Sequence, residues 1–114
     1  MILNINKPAG ITSHDVVQKV REITGEKAVG HAGTLDPFAT GVLIVAIGRE
    51  STKQLKTLTE DTKKEYEATL ILGKTSTTGD PEGIIKETAD KEQVVSIAKT
   101  QIKQVLEKFK GEIE

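Results

Sequence analysis

The sequence predicts an α+β domain, a mixed and mainly antiparallel sheet with flanking helices. Three observations carry that prediction. Patterns of strand and helix period interleave along the chain in the order β-α-β-α-β-β-α. The run Val42–Ile47 is apolar without interruption, which fits a strand covered on both faces. Near the end, Val94, Ala98, Ile102, Val105 and Phe109 recur at helical spacing.

Taken in order, Ile2 to Asn6 reads as a short strand, stopped by Lys7-Pro8-Ala9-Gly10. Ser13 is placed to cap a helix, with Asp15 in the first turn. Val16, Val17, Val20 and Ile23 give that helix an apolar face, and Gly25 ends it. The strand Val42–Ile47 follows. Ser51 to Thr59 is weakly periodic through Leu55 and Leu58 and predicts a second helix. Tyr66, Ala68, Leu70 and Leu72 alternate, so residues 66–72 are expected to form a half-buried strand. Gly73 to Gly83 is a polar, turn-rich loop, and Gly83 to Thr88 a further strand. Asp90 with Gln93 three residues later makes a capping box that opens one long helix, closed by Gly111. No repeat, low-complexity tract or linker interrupts the chain. Gly111-Glu112-Ile113-Glu114 follows a helix end as though another element were about to begin, so the chain is expected to be cut from something longer.

Composition narrows the function. At 114 residues the chain is sized for one domain. Its net charge of −1 lacks the whole-molecule basic field of many nucleic-acid binders, while allowing a local basic face. The absence of cysteine excludes disulfides, thiolate zinc sites and a cysteine nucleophile. Two histidines, His14 and His31, have no acids at ligand spacing, so no metal site is expected. The N-terminus has neither a basic leader nor a long apolar run, and Val42–Ile47 is far too short to span a bilayer. The expected location is the cytoplasm, away from membranes.

The chemistry concentrates in Gly33-Thr34-Leu35-Asp36-Pro37-Phe38-Ala39-Thr40-Gly41. The glycines permit positive φ and close approach of a ligand, and Pro37 restricts both itself and Asp36. A carboxylate on so stiff a loop can serve as nucleophile, base or electrostatic partner. The ordinary alternative is an Asp-Pro turn whose carboxylate caps a local N–H. His31 lies five residues earlier on the same loop. Lys7 lies in a second glycine-proline turn, where the ordinary reading is a solvated surface lysine. Tyr66 heads an otherwise aliphatic strand, and its ordinary reading is a core-edge residue with a wet hydroxyl. The hydroxyl-rich Gly73-Lys74-Thr75-Ser76-Thr77-Thr78-Gly79-Asp80 is not a P-loop, because Ala68 stands where that motif needs its first glycine. Gly30-His31-Ala32-Gly33 has the G-x-x-G of an RNA-clamping turn, but no helix start follows it.

Three segments together resemble the TruB family of tRNA pseudouridine synthases. Lys7-Pro8-Ala9-Gly10-Ile11-Thr12-Ser13 is similar to the family's K-P-x-G-x-T-S. Gly30-His31-Ala32-Gly33-Thr34-Leu35-Asp36-Pro37-Phe38-Ala39-Thr40-Gly41-Val42-Leu43 fits G-H-x-G-x-L-D-P-x-A-x-G-x-L at every defined position. Lys64-Glu65-Tyr66, Leu72-Gly73 and Ser76 to Gly83 resemble K-x-Y, L-G and T-x-T-x-D-x-x-G, with Ser76 in place of a threonine. The closing Phe109-Lys110-Gly111-Glu112-Ile113-Glu114 is similar to F-x-G-x-I-x.

The resemblance implies isomerisation of uridine at position 55 in the T-loop of tRNA. It makes Asp36 the catalytic residue, acting on a flipped-out nucleotide. His31 would hold the reorganised T-loop, Tyr66 would stack on the uracil, and Lys7 would support the active-site loop. Gly33, Thr34 and Leu35 would complete the substrate-binding set. No cofactor is implied, and the partner is the T stem-loop of tRNA. The resemblance spans the whole chain, which corresponds to the N-terminal part of an incomplete catalytic domain. The family's C-terminal part, with an arginine that pairs with the aspartate, and its RNA-binding PUA domain are expected to be absent. Residues 1–114 alone are therefore expected to be weakly active or inactive, needing a complementing C-terminal chain if the gene is split. The competing readings are a non-catalytic RNA-binding module on the same fold and a small structural α+β domain.

Overall fold

In the computed structural model, which describes residues 1–111, the apolar run becomes the middle strand of a three-stranded sheet. Strands β1 (Ile2–Lys7), β2 (Val29–Ala32) and β3 (Gly41–Ile47) lie in the order β1-β3-β2, antiparallel throughout. Leu3 faces Val45, Ile5 faces Leu43 and Lys7 faces Gly41 across the first pair. Val29 faces Ile47 and His31 faces Val45 across the second. These residues share one face of the sheet, because side chains alternate along each strand.

Helix α1 (Ser13–Thr24) covers that face. Val16, Val17 and Val20 close a core with Val29, Leu43 and Val45, and Leu3, Ile5, Ile11 and Ile47 pack at its margin. The cap differs by one residue from the expectation. Thr12, not Ser13, is the N-cap: its hydroxyl accepts from the Asp15 N–H at 2.9 Å, and the Asp15 carboxylate accepts from the Thr12 N–H at 2.9 Å. Those bonds hold the Asp15 carboxyl below the usual aspartate range. Thr12→Ala is expected to destabilise the chain by about 1 kcal/mol, read as a lowered urea midpoint at unchanged slope.

Helix α2 (Arg49–Glu60), which contains the helix expected over Ser51 to Thr59, lies against the opposite face. A methyl group at Gly30 would stand 3.3 Å from Leu55 Cδ1, so glycine sets how near helix and strand approach. The expectation that β3 is covered on both faces holds for its second half only. Ala46 is fully buried beneath α2, while Val42 is 62% exposed.

Contacts divide the chain into two compact units, Met1–Tyr66 and a second from Glu67 onward. The strand expected over 66–72 does not form: residues 66–72 are all exposed and, among the described residues, outside any ladder. Alternation makes an amphipathic strand possible, but a strand exists only with a neighbour to complete its hydrogen bonds. In the second unit β4 (Lys74–Ser76) and β5 (Ile85–Glu87) form an antiparallel hairpin, the latter inside the span expected to be a strand. Asp90 opens a helix with the expected capping box to Gln93. The single long helix is instead two, α3 (Lys91–Val95) and α4 (Lys99–Glu107). Val94-Val95-Ser96-Ile97 sets β-branched residues and a serine in succession, a poor helical run, and the Ser96 hydroxyl donates to the Gln93 carbonyl at 2.7 Å. Ala98 restarts the helix, its N–H donating to the Gln101 side chain at 2.8 Å. The last part of the closing motif, residues 112–114, lies outside the described residues.

Candidate active site

The loop from Gly33 to Thr40 joins β2 to β3 at the end of the sheet where β1 also finishes. Gly33 (φ 79°) and Gly41 (φ 139°) bracket it in conformations that other residues rarely adopt. Between them, three consecutive residues are anchored through the backbone. The Leu35 N–H donates to Ser13 Oγ at 3.0 Å, and the Ser13 hydroxyl donates to the Leu35 carbonyl at 3.2 Å. The Asp36 carbonyl accepts from the Ala39 N–H at 3.0 Å, closing a turn that has Pro37 at its second position. The Pro37 carbonyl accepts from the Gly10 N–H at 2.8 Å and from Lys7 Nζ at 3.2 Å.

Lys7 is fully buried, which overturns its reading as a solvated surface lysine. Its ammonium has three protons and three carbonyl acceptors, Pro8 and Ile11 at 2.8 Å each and Pro37 at 3.2 Å. A charge buried in this way is tolerable because each proton keeps an acceptor. The ammonium therefore faces the backbone beneath the loop rather than a ligand.

Asp36 is the converse. Its side chain is exposed, and among the described residues its carboxylate accepts no hydrogen bond and joins no ion pair. The Asp-Pro turn exists, but the Asp36 backbone closes it. A rigid backbone thus presents a solvent-facing carboxylate whose lone pairs are unengaged, the arrangement a nucleophile or base requires.

The remaining predicted residues are placed less closely. His31 is in the third position of β2, not on the loop, because the glycine-flanked stretch pairs with β3 as a strand. It is half-buried, and its buried Nδ1 has no partner among the described residues. Thr34 is exposed and Leu35 half-buried on the loop itself. Tyr66 is 72% exposed at the end of the first unit, with no hydrogen bond to the loop. Ser13, read from sequence as a helix cap, and Gly10, read as part of a turn, were not expected to anchor this loop. The available signal was the pair Thr12-Ser13: one helix start needs a single capping hydroxyl, so the second is left for another task.

The polar loop 76–83 is a self-contained turn. The Thr78 hydroxyl donates to the Asp80 carboxylate at 2.6 Å, the Glu82 N–H donates to the same oxygen at 2.9 Å, and the Ile84 N–H donates to Thr77 Oγ1 at 3.0 Å. The Thr78 hydroxyl, then the Glu82 N–H, holds the Asp80 carboxyl below its usual range. A depressed carboxyl contributes stability that is complete above the unfolded aspartate value, about 3.9, and lost as pH falls through the folded one. The Asp80 titration followed by NMR is expected to have its midpoint below that of an unstructured aspartate, and Thr78→Val to raise it. Among the described residues no group of three histidine, aspartate or glutamate side chains could hold a metal ion, and no helix is long and apolar enough to cross a membrane.

Against known proteins, residues 21–114 match the family described as TruB family pseudouridylate synthase (N terminal domain). The protein named tRNA pseudouridine synthase B of Mycobacterium sp. (strain KMS) is 51% identical over 113 residues, covering 99% of this chain and 36% of that protein. The one of the same name from Desulfotalea psychrophila is 58% identical over 82 residues, covering 72% of this chain and 33% of its own. A solved structure titled "Structure of H/ACA RNP bound to a substrate RNA containing 2'-deoxyuridine" aligns with a TM-score of 0.47 at 42% identity, over 50% of this chain and 18% of that one. The chain thus spans about a third of the length of the curated relatives it matches, 36% and 33% for these two. With its family match beginning at residue 21 and its relatives aligned across nearly the whole chain, it belongs to the TruB family of pseudouridylate synthases, matching the family's N-terminal domain.

Proposed function

We propose that the chain supplies the catalytic aspartate of a tRNA pseudouridine synthase that converts uridine to pseudouridine at position 55 of the T-loop. The observation that carries this reading is the exposed, unengaged Asp36 carboxylate on a loop fixed at residues 35, 36 and 37. The relatives' shared name supplies the reaction and the substrate class.

In this reading the target nucleotide leaves its stack to reach the loop. Asp36 acts on it, the uracil separates from ribose, turns and rejoins through C5. The reaction is an isomerisation and draws on no cofactor. Gly33 and Thr34 let the RNA approach the backbone, with Leu35 beneath. His31 supports the reorganised T-loop, and Tyr66 stacks on the uracil from the following segment. Lys7 acts under the loop. The chain corresponds to the N-terminal part of the catalytic domain, and a C-terminal part, on the same or a complementing chain, supplies the cation that pairs with Asp36.

Tritium release from tRNA labelled at uridine C5 tests the reading. Release is expected to be weak or absent with the chain alone, to appear when the C-terminal part of a relative is added in trans, and to vanish in Asp36→Asn. Release that persists in Asp36→Asn, or none in the complemented mixture, would sink it. The absence of a cation at Asp36 among the described residues also suits a non-catalytic RNA-binding module. That reading predicts equal affinity of wild type and Asp36→Asn for a T stem-loop, with no release from the complemented mixture.

A further inference from the structure

We infer that Ser13 is a positioning residue for Asp36, an inference that rests on the pseudouridine synthase reading of that carboxylate. The hydroxyl accepts from the N–H of Leu35 and donates to the carbonyl of the same residue, at 3.0 and 3.2 Å. A neighbouring strand would satisfy both groups of a residue in this way. Here one oxygen does so, and its position on the first residue of α1 ties the loop to the helix that packs on the core.

The geometry separates this role from helix capping. Thr12 and Asp15 already form both bonds of the capping box. Ser13 is 3% exposed, so its hydroxyl is directed into the protein rather than toward water. The other loop anchors act at or after Asp36: Ala39 closes onto residue 36, while Gly10 and Lys7 hold residue 37. Ser13 holds the residue before it. Without it the turn could pivot about Pro37, and the carboxylate would change direction while the turn stayed closed.

The test compares Ser13→Ala with Thr12→Ala, which weakens the same helix without touching Leu35. In the full chain, hydrogen exchange at the Leu35 amide is expected to speed up by at least about tenfold in Ser13→Ala and by no more than about fivefold, the factor of a global loss of about 1 kcal/mol, in Thr12→Ala. The backbone order parameter at Asp36 is expected to fall from about 0.85 to below about 0.6 in Ser13→Ala only. Ser13→Cys, close in size and a weaker donor, should lie between wild type and Ser13→Ala, and serves if the alanine variant does not fold. In the complemented enzyme, Ser13→Ala should lower kcat on the order of 10²-fold with KM within about twofold. A Leu35 amide unprotected in the wild type, or the same exchange pattern in both alanine variants, overturns the inference. The exchange measurement needs no turnover, so its failure is distinct from failure of the functional reading.

Discussion

Lys7→Met is expected to lower the stability of the chain by about 3–5 kcal/mol, the largest loss of stability among the substitutions proposed. Methionine fills most of the space of the lysine stem, so the loss is not that of a cavity. It is the loss of a donor. The Pro8 and Ile11 carbonyls accept from Lys7 Nζ and from no other group among the described residues, whereas Pro37 keeps the Gly10 N–H. A carbonyl left without a donor costs about 1–3 kcal/mol where water cannot replace it, and both bonds here are part-buried. A domain of this size is stable by about 5–15 kcal/mol, so a large fraction disappears. Lys7→Arg should not rescue it, since a planar fork cannot aim at three carbonyls that converge on one ammonium. Urea unfolding followed by circular dichroism measures the change, and a loss below about 1 kcal/mol would contradict the buried network.

Asp36→Asn is expected to do the reverse. Turnover in the complemented enzyme should fall on the order of 10⁴-fold or more, as when a nucleophile is removed. Stability should remain within about 0.5 kcal/mol of wild type. The second expectation follows from the site: the carboxylate is exposed and engages nothing among the described residues, and the Asp36 backbone, which closes the turn, is unchanged by an isosteric amide. The same urea experiment with tritium release beside it gives both numbers. A substantial loss of stability would mean that the carboxylate holds the loop together, and that its loss of turnover says nothing about chemistry.

Much of this was legible in the residues. The antiparallel sheet, α1, α2 and the Asp90 cap each rest on local signals that tertiary structure did not override. What escaped depended on partners. β2 is four residues long and contains a glycine, so nothing local marks Val29–Ala32 as a strand until β3 pairs with it. Conversely, Tyr66 to Leu72 has the right alternation and no ladder. At the site, the fixed loop that carries Asp36 was readable because proline and glycines announce it. The burial of Lys7 was not, because lysine is almost never buried, and the carbonyls that permit it come from residues 8, 11 and 37. Ser13 was hidden by its neighbour, since either hydroxyl could have capped α1.

The division of labour between Lys7 and Asp36 has a consequence for descent. The frame of the loop is built from Ser13, Gly10, Lys7 and backbone carbonyls, with no hydrogen bond from the side chain at position 36 among the described residues. Folding therefore places no demand on that side chain, and under the proposed function it is chemistry that would select for an aspartate there. A lineage released from catalysis could exchange this residue in one step and keep the domain intact. Loss of Ser13 or Lys7 would follow a different course, removing shape and activity together. If Asp36 is the catalytic acid proposed above, it is the replaceable tool and the frame is the inheritance, a route by which one fold can pass between enzymes and silent binding modules.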